Sequence, residues 1–415
     1  MAKSRQRTLG WAVFHRLIAP ESTVLIAWGV GLVMFAIAVA NAQSMPYFTL
    51  LVHKEGLRDI STPFAFLWLT LAILAFVLGS RLGDRKPRPV AHGHAFERGN
   101  AIVVAFILTG GVAFAWIGMA VVQLGGVAQM AALAASENLI ARERILNAAF
   151  PGGRLISSGL LGLAVLAAAQ LGAVTRPDAR GRPSVTLILV LAGSLAYLAI
   201  VPILTSGRIN FFVAGLGAFV AASLAAARPL PLRYVLVGAA ALAASWTAKQ
   251  YFTLSHISDA SATQQGFEGL LFYFYNDLLN ALNPVENMGE HKTWGWYSVR
   301  FVFYLTFTNN SLRSIIADDI SHMESWMSAG EVPFLTAPFV DFGVLGLLVL
   351  IAAGYFCRRM YRMSINGVEY AAIYGICFAT LTMSVHNSYL TSQEVVYNML
   401  LILVVGRSAR SQERV

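Results

Sequence analysis

Long apolar runs separated by short basic segments set the pattern of this chain. A helix needs roughly 20 mostly apolar residues to cross a bilayer core, and about ten stretches approach that length. They cover 23–41, 63–79, 100–122, 155–174, 185–204, 209–227, 232–249, 338–357, 370–385 and 395–406, the last two being short. The stretch 209–227 follows 185–204 almost directly, which predicts a tight hairpin around Thr205, Ser206, Gly207 and Arg208. The expected fold class is all-α. It is a polytopic transmembrane helix bundle of about ten spans, a single integral membrane domain over 1–415 with a long, partly helical loop at 250–337.

That loop departs from the pattern. Its two apolar segments, 269–282 (GLLFYFYNDLLNAL) and 294–307 (WGWYSVRFVFYLTF), are strongly aromatic but interrupted by Asn276, Asp277 and Arg300. Neither is long and clean enough to span, so both are expected as interfacial or re-entrant helices with Trp and Tyr at headgroup level. The segment 123–154 is a smaller version, with an amphipathic run at 133–150.

Composition agrees with lipid as the main solvent. The chain of 415 residues is 57% hydrophobic and 12% charged, with a mean hydropathy of +0.63. A soluble domain carries roughly 25% charged residues. A net charge of +9 raises the question of nucleic acid. The basic residues answer it: they form small clusters between apolar runs and make no single basic face. These clusters are Lys3, Arg5 and Arg7; Arg81, Arg85, Lys86 and Arg88; Arg176, Arg180 and Arg182; Arg358, Arg359 and Arg362; and Arg407, Arg410 and Arg414. Placing every cluster in the cytoplasm puts both termini, 80–99, 175–184, 228–231 and 358–369 on that side. The opposite, periplasmic side then holds 42–62, 123–154, 205–208, 250–337 and 386–394. The expected location is a bacterial inner membrane, with the chemistry on its periplasmic face. The stretch from Trp11 to Pro20 is too short and polar for the core of a cleavable signal.

Candidate chemistry begins with arginines on the side where the orientation rule disfavours them. Arg208, in the TSGRIN hairpin, is the sharpest: small and hydroxylated neighbours let a phosphate approach the backbone while the guanidinium grips it as a fork. Arg300 and Arg313 are further phosphate or pyrophosphate ligands, and Arg154 is a weaker one. A general base for a hydroxyl needs a carboxylate or histidine near those arginines, and Glu331, Asp341, His322 and His386 form the pool. Asp318, Asp319, His322 and Glu324 lie close in sequence, but a solvated acidic cluster of this kind is more often plain surface than a metal site, and no metal is assigned. Cys357 and Cys377 fall at or inside spans and are read as small apolar residues. No phosphate-binding loop, dinucleotide fingerprint, GxSxG, HExxH or paired CxxC occurs, and no cofactor is expected.

Three segments together resemble a known family. EVPFLTAPFVDFGVLG at 331–346, leading into a span that ends in Cys357, Arg358 and Arg359, is similar to the acidic-x-Gly-x-x-Gly start of a late helix in Wzy-type O-antigen and oligosaccharide repeat-unit polymerases. The aromatic stretches at 273–283 and 293–301 resemble the aromatic loop of that group, and TSGR at 205–208 resembles a hairpin shared with O-antigen ligases. The likeness extends over about 185–362. It implies a metal-independent membrane glycosyltransferase that moves a growing glycan from undecaprenyl pyrophosphate to the next lipid-linked repeat. Arg208 would bind the pyrophosphate and Arg300 would assist; the partners would be undecaprenyl-pyrophosphate-linked glycans and membrane lipid, with room for a chain-length-regulating protein. The ligases carry a His-Asn pair shortly before this motif, where the present chain has Glu331, Val332 and Pro333. That departure favours a polymerase over a ligase. The non-enzymatic alternative is a transporter or flippase of lipid-linked sugars, a class that often shows internal repeats not visible here.

Overall fold

The computed structural model describes residues 2–56, 63–84, 100–135, 144–145, 147–176, 183–205, 209–234, 236–238, 240, 243, 261–328 and 331–411. Every regular element among them is helical. In chain order the helices used below are α1 (Ala2–Leu17), α2 (Pro20–Asn41), α3 (Pro46–Glu55), α4 (Pro63–Leu82), α5 (Asn100–Gln123), α6 (Val127–Ala135), α7 (Gly153–Val174), α8 (Val185–Thr205) and α9 (Ile209–Ala225). They are followed by α10 (Ala262–Asn287), α11 (Arg300–Leu305), α12 (Asn309–Ile315), α13 (Ala317–Glu324), α14 (Ala337–Phe342), α15 (Gly346–Met363), α16 (Val368–Thr382) and α17 (Gln393–Ser411).

Among the described residues, five helical segments are long and apolar enough to cross a membrane: Pro20–Ser44, Pro63–Leu82, Asn100–Gln123, Gly153–Val174 and Ala337–Met363. Four more, Val185–Ile200, Ile209–Ala225, Val368–Thr382 and Gln393–Gly406, are apolar but shorter. The expected count of about ten is therefore represented by five full-length and four shorter helices, and most of 232–249 lies outside the described residues. The outer faces of these helices are bare hydrocarbon. On α5, Leu108 is 65% exposed, Phe114 75% and Val122 78%, a surface that water would not tolerate and acyl chains would.

Inside the bundle α7 is the central post. Its most apolar window is 83% buried, against 28% for α2 and α5, and it packs against α5, α8, α9, α16 and α17. Small residues let the neighbours in. A Cβ on Gly172 would lie 2.3 Å from the Ala222 carbonyl of α9, and one on Gly375 of α16 would lie 2.4 Å from the Gly217 carbonyl of α9. The α4–α15 contact uses the same device: a Cβ on Gly79 would lie 2.0 Å from the Ile351 carbonyl, and one on Gly354 2.1 Å from the Phe76 carbonyl. Backbones in lipid associate through close packing of this kind because lipid tails supply no hydrophobic drive between apolar helices.

The two ends of the bundle differ chemically. At one end Arg358 pairs with Glu21 at 3.0 Å and with Asp84 at 2.7 Å, Arg362 Nε donates to Asp84 at 2.6 Å, and the Ser80 hydroxyl donates to Glu21 at 2.6 Å. Arg176 donates to the Ala225 carbonyl at the adjoining ends of α7 and α9. Asp84, Arg176, Arg358 and Arg362, the described residues of three segments that the predicted threading puts on one side, all lie at such helix ends. The opposite end gathers the starts of α7, α9, α15 and α17, the end of α16, and the segments from 261 to 336.

One expectation is corrected here. The segment 269–282, expected as a separate interfacial or re-entrant helix, is part of the longer 26-residue α10, which docks into the bundle against α2, α3 and α4. Leu271, Leu278, Leu279, Ala281 and Leu282 are each no more than 1% exposed, so these side chains face protein, while Leu270 remains 41% exposed. The stretch 294–307 is likewise a turn followed by the six-residue α11. We expect Gly79→Val to lower the thermal stability of the detergent-solubilised protein by about 2 kcal/mol. Gly111→Val on α5, where nothing lies within 4 Å of the added Cβ, should leave it nearly unchanged.

Candidate active site

The site is built on the buried polar face of α10. Ser261 caps its first turn, accepting from the Gln264 N–H at 3.3 Å. Gln265, Glu268, Asn276, Asp277, Asn280 and Asn283 are all buried along it. Glu268 accepts the Phe48 N–H at 2.9 Å and the Gln264 side-chain amide at 2.7 Å, which ties the short α3 across α10. Aromatic packing completes that join, with Phe35 and Tyr275 stacked at 5.2 Å and Phe48 edge-on to Tyr275 at 5.3 Å.

Asp277 is 5% exposed and faces His386, whose Nδ1 lies 2.9 and 3.0 Å from the two carboxylate oxygens. His386 is held there by backbone. After α16 ends, the Ser384 carbonyl accepts the Phe334 N–H at 2.9 Å and the Ser388 N–H donates to the Val332 carbonyl at 3.1 Å. The 332–336 strip is itself moored, the Leu335 carbonyl accepting from Trp68 Nε1 at 3.0 Å and Thr336 Oγ1 donating to the Ala281 carbonyl at 2.9 Å. Glu331, exposed at the edge of this strip, accepts from the Asn387 side-chain amide. The structure thus brings Glu331 and His386 together and adds Asp277.

Burial works to lower the His386 pKa, and the negative charges of Asp277 and, more weakly, Glu331 outweigh it, so the imidazole titrates above its ordinary 6.5. Its Nδ1 is engaged by Asp277 and Nε2 takes part in no hydrogen bond among the described residues. A carboxylate that orients one imidazole nitrogen leaves the other for proton transfer.

Asp341, although buried with 0% exposure, is fully used. It accepts Thr293 Oγ1 at 2.5 Å, the Ser298 N–H at 2.6 Å, the Ser298 hydroxyl, and the Tyr297 N–H at 3.2 Å from both oxygens. About four lone-pair positions are available on a carboxylate, so none is left to abstract a proton. Its part is to fold 293–299 around itself, a path that needs left-handed backbone at Trp294 (φ 51°) and Gly295 (φ 95°). That loop delivers Arg300 to its setting. The guanidinium lies 4.3 Å from the Trp296 ring and 5.5 Å from the Tyr304 ring, and donates to the Tyr304 hydroxyl at 3.2 Å. Its Nε is buried with no hydrogen-bond partner, and no carboxylate pairs with it among the described residues.

The remaining candidates sit apart. His322 places Nε2 2.9 Å from the Asn287 carbonyl and stacks on His291 at 4.1 Å, while His291 bonds Asp319 at 2.7 Å. Asn287 is ten residues beyond Asp277 on α10, about 15 Å along the axis. Arg313 is exposed in the last turn of α12. Arg208 lies outside the described residues, but Asn210, two positions on, donates to Glu394 at 3.3 Å, and Glu394 pairs with Arg154 at 2.9 Å. Asn210, at the start of α9, therefore lies beside the start of α17, the helix that α11 also touches. No group of three or more His, Cys, Asp or Glu suited to a metal occurs among the described residues.

No family model matches the chain, and neither curated proteins nor solved structures provide a match.

Two outcomes follow from this geometry. Asp341→Ala leaves buried donors unpaired and should cost roughly 3 kcal/mol of stability, read as a lower melting temperature and faster proteolysis within 293–305. The Asp277–His386 pair should make stability pH-dependent. A histidine with a raised folded-state pKa contributes fully below its unfolded value of 6.5 and loses that contribution as pH rises through the folded value. The wild type should therefore lose stability above pH 6.5, and His386→Gln should flatten that slope in a melting series.

Proposed function

We propose that the protein is a membrane glycosyltransferase that elongates lipid-linked oligosaccharides, working at the periplasmic face of a bacterial inner membrane. The growing glycan leaves undecaprenyl pyrophosphate and joins a hydroxyl of the next lipid-linked repeat unit. The observation that carries this reading is the Asp277–His386 pair, with a free Nε2, set beside Glu331 in an otherwise apolar bundle.

In this reading the neutral imidazole Nε2 takes the proton of the acceptor hydroxyl as its oxygen attacks the anomeric carbon of the donor. The new glycosidic C–O bond forms as the anomeric C–O bond to phosphate breaks, and the lipid pyrophosphate departs with the electron pair. Asp277 stabilises the imidazolium that results. The departing charge is met by guanidinium groups fixed in a low-dielectric setting, where such interactions are strongest. Arg208 and Arg300 take that role, and Arg300 suits it because the aromatic faces that hold it leave hydrogen-bond donors free for a ligand. No bound metal is required for this charge compensation. Glu331 is the second choice for base. The arrangement gives Asp341 and His322 structural duties.

A ligase is the second reading. One observation favours it: the His386–Asn387 pair lies against Glu331, although it follows that residue by more than fifty positions. The acceptor separates the two readings, another repeat unit for a polymerase and a lipid A core for a ligase.

His386→Ala should insert normally and lose about 100-fold or more of the elongation rate measured with purified protein and lipid-linked repeats. Arg208→Ala should leave cells with single-repeat glycan only; long chains in that mutant would remove the arginine from the mechanism. Wild-type elongation should rise with pH through the raised pKa of His386, because the base must be neutral, while stability falls over the same interval. A rate that is flat across that interval would exclude His386 as the base.

A further inference from the structure

A second polar surface of α10 lies one turn beyond Asp277. Between the C-terminal cap of α3, α10 and the segment 325–328 there is a groove of about 30 Å³, lined by Gly56, Asn280, Asn283, Ser325, Trp326 and Ser328 among others. A space of this size holds one or two hydroxyl-sized groups.

Asn280 is 1% exposed, and its Oδ1 accepts both the Ser328 N–H at 3.1 Å and the Ser328 hydroxyl at 3.3 Å. Its Nδ2 is buried with no hydrogen-bond partner among the described residues. A buried amide donor left unmatched costs stability unless something fills the place opposite it. The two Ser328 bonds fix which end of the amide is which, since an N–H must donate to the carbonyl oxygen. The orphan donor is therefore held rigidly.

The lining excludes several occupants. Among the described residues it carries no Lys, Arg, His, Asp or Glu, so none of them supplies a counter-charge to an anion or a cation. It does offer amide and hydroxyl groups beside an indole that is only half-buried. Neutral ligands with closely spaced hydroxyls and an apolar ring face match that set. Asn280 follows Asp277 by three residues, about 4.5 Å along the helix, and Ser328 precedes Glu331 by three. The groove therefore lies about one helical turn along α10 from Asp277.

We infer that this groove is a carbohydrate subsite, in which Asn280 Nδ2 donates to a hydroxyl oxygen of a neutral pyranose next to the one that reacts, and Trp326 offers the ring a flat face. The inference rests on the glycan-transfer reading for the presence of sugar, and its test is kept separate from transfer. The full-length protein in lipid nanodiscs is examined by saturation-transfer difference NMR against the methyl glycosides of glucose, galactose, mannose, rhamnose and N-acetylglucosamine. At least one should receive saturation from the wild type. That signal should fall fivefold or more in Asn280→Leu and also in Asn280→Asp, which keeps the shape and the acceptor for Ser328 while removing the donor. It should persist in His386→Ala.

No transfer to any of the glycosides, or an undiminished signal in a folded Asn280→Asp protein, overturns the subsite and assigns the groove to internal water. If the glycosides bind through Asn280 but lipid-linked repeats are never elongated, the subsite stands and the transfer reading fails. If elongation proceeds with an unchanged KM in Asn280→Asp, transfer stands and the subsite fails.

Discussion

A helix with carboxylates and amides on its buried face can sit in an apolar bundle only where each polar group finds a partner. Most of what distinguishes this end of the molecule is an answer to that requirement on α10. Glu268 takes the Phe48 N–H and so binds α3 across the helix. Asn276 and Asn280 both receive Ser328, which returns the 261–328 region to the bundle. Asp277 takes His386 and draws in the connection between α16 and α17. The contacts that make the helix tolerable are the contacts that assemble the site.

The same economy applies to Asp341. It sits just before the break at Gly343, where the chain turns through φ 59° before α15 begins. Its carboxylate organises 293–299, and the order of that loop is what holds Arg300 between Trp296 and Tyr304. A carboxylate with every lone pair committed is a poor base and a good anchor, so two acids on one polypeptide, Asp277 and Asp341, serve different ends. Environment, and not residue type, separates them.

Much of the bundle could be read from the chain. The apolar runs match five long apolar helices and four shorter ones among the described residues, and the basic cluster from Arg358 to Arg362 meets Glu21 and Asp84 at a single end. The site was legible in part. His386 and Glu331 were in the pool of bases, but Asp277 was read as an interruption in an aromatic run. Its partner lies 109 residues away, and no local spacing encodes such a pairing. A helical signal was present all the same. Positions 265, 268, 276, 280 and 283 fall on one face at steps of three, four or their sum plus one, and reading them as a stripe would have placed 269–282 inside the bundle. The aromatic content pointed to the interface because Trp and Tyr favour headgroups; packing of Phe35, Phe48 and Tyr275 against one another used the same residues in the interior. Asp341 looked like a base for a similar reason: its four donors come from a loop some 45 residues upstream.

The distance between Asp277 and His386 along the chain also sets an order of events during synthesis. When α10 leaves the ribosome, its carboxylate has no counterpart, and the histidine that supplies one arrives only after α15 and α16 have been made. Until then α10 carries an acid into an apolar surround and has reason to stay at the water boundary. Its final seating must wait for α16 and the turn after it, so this end of the bundle closes late in biogenesis, and a nascent chain cut short before residue 386 holds a bundle in which Asp277 has not yet been drawn in.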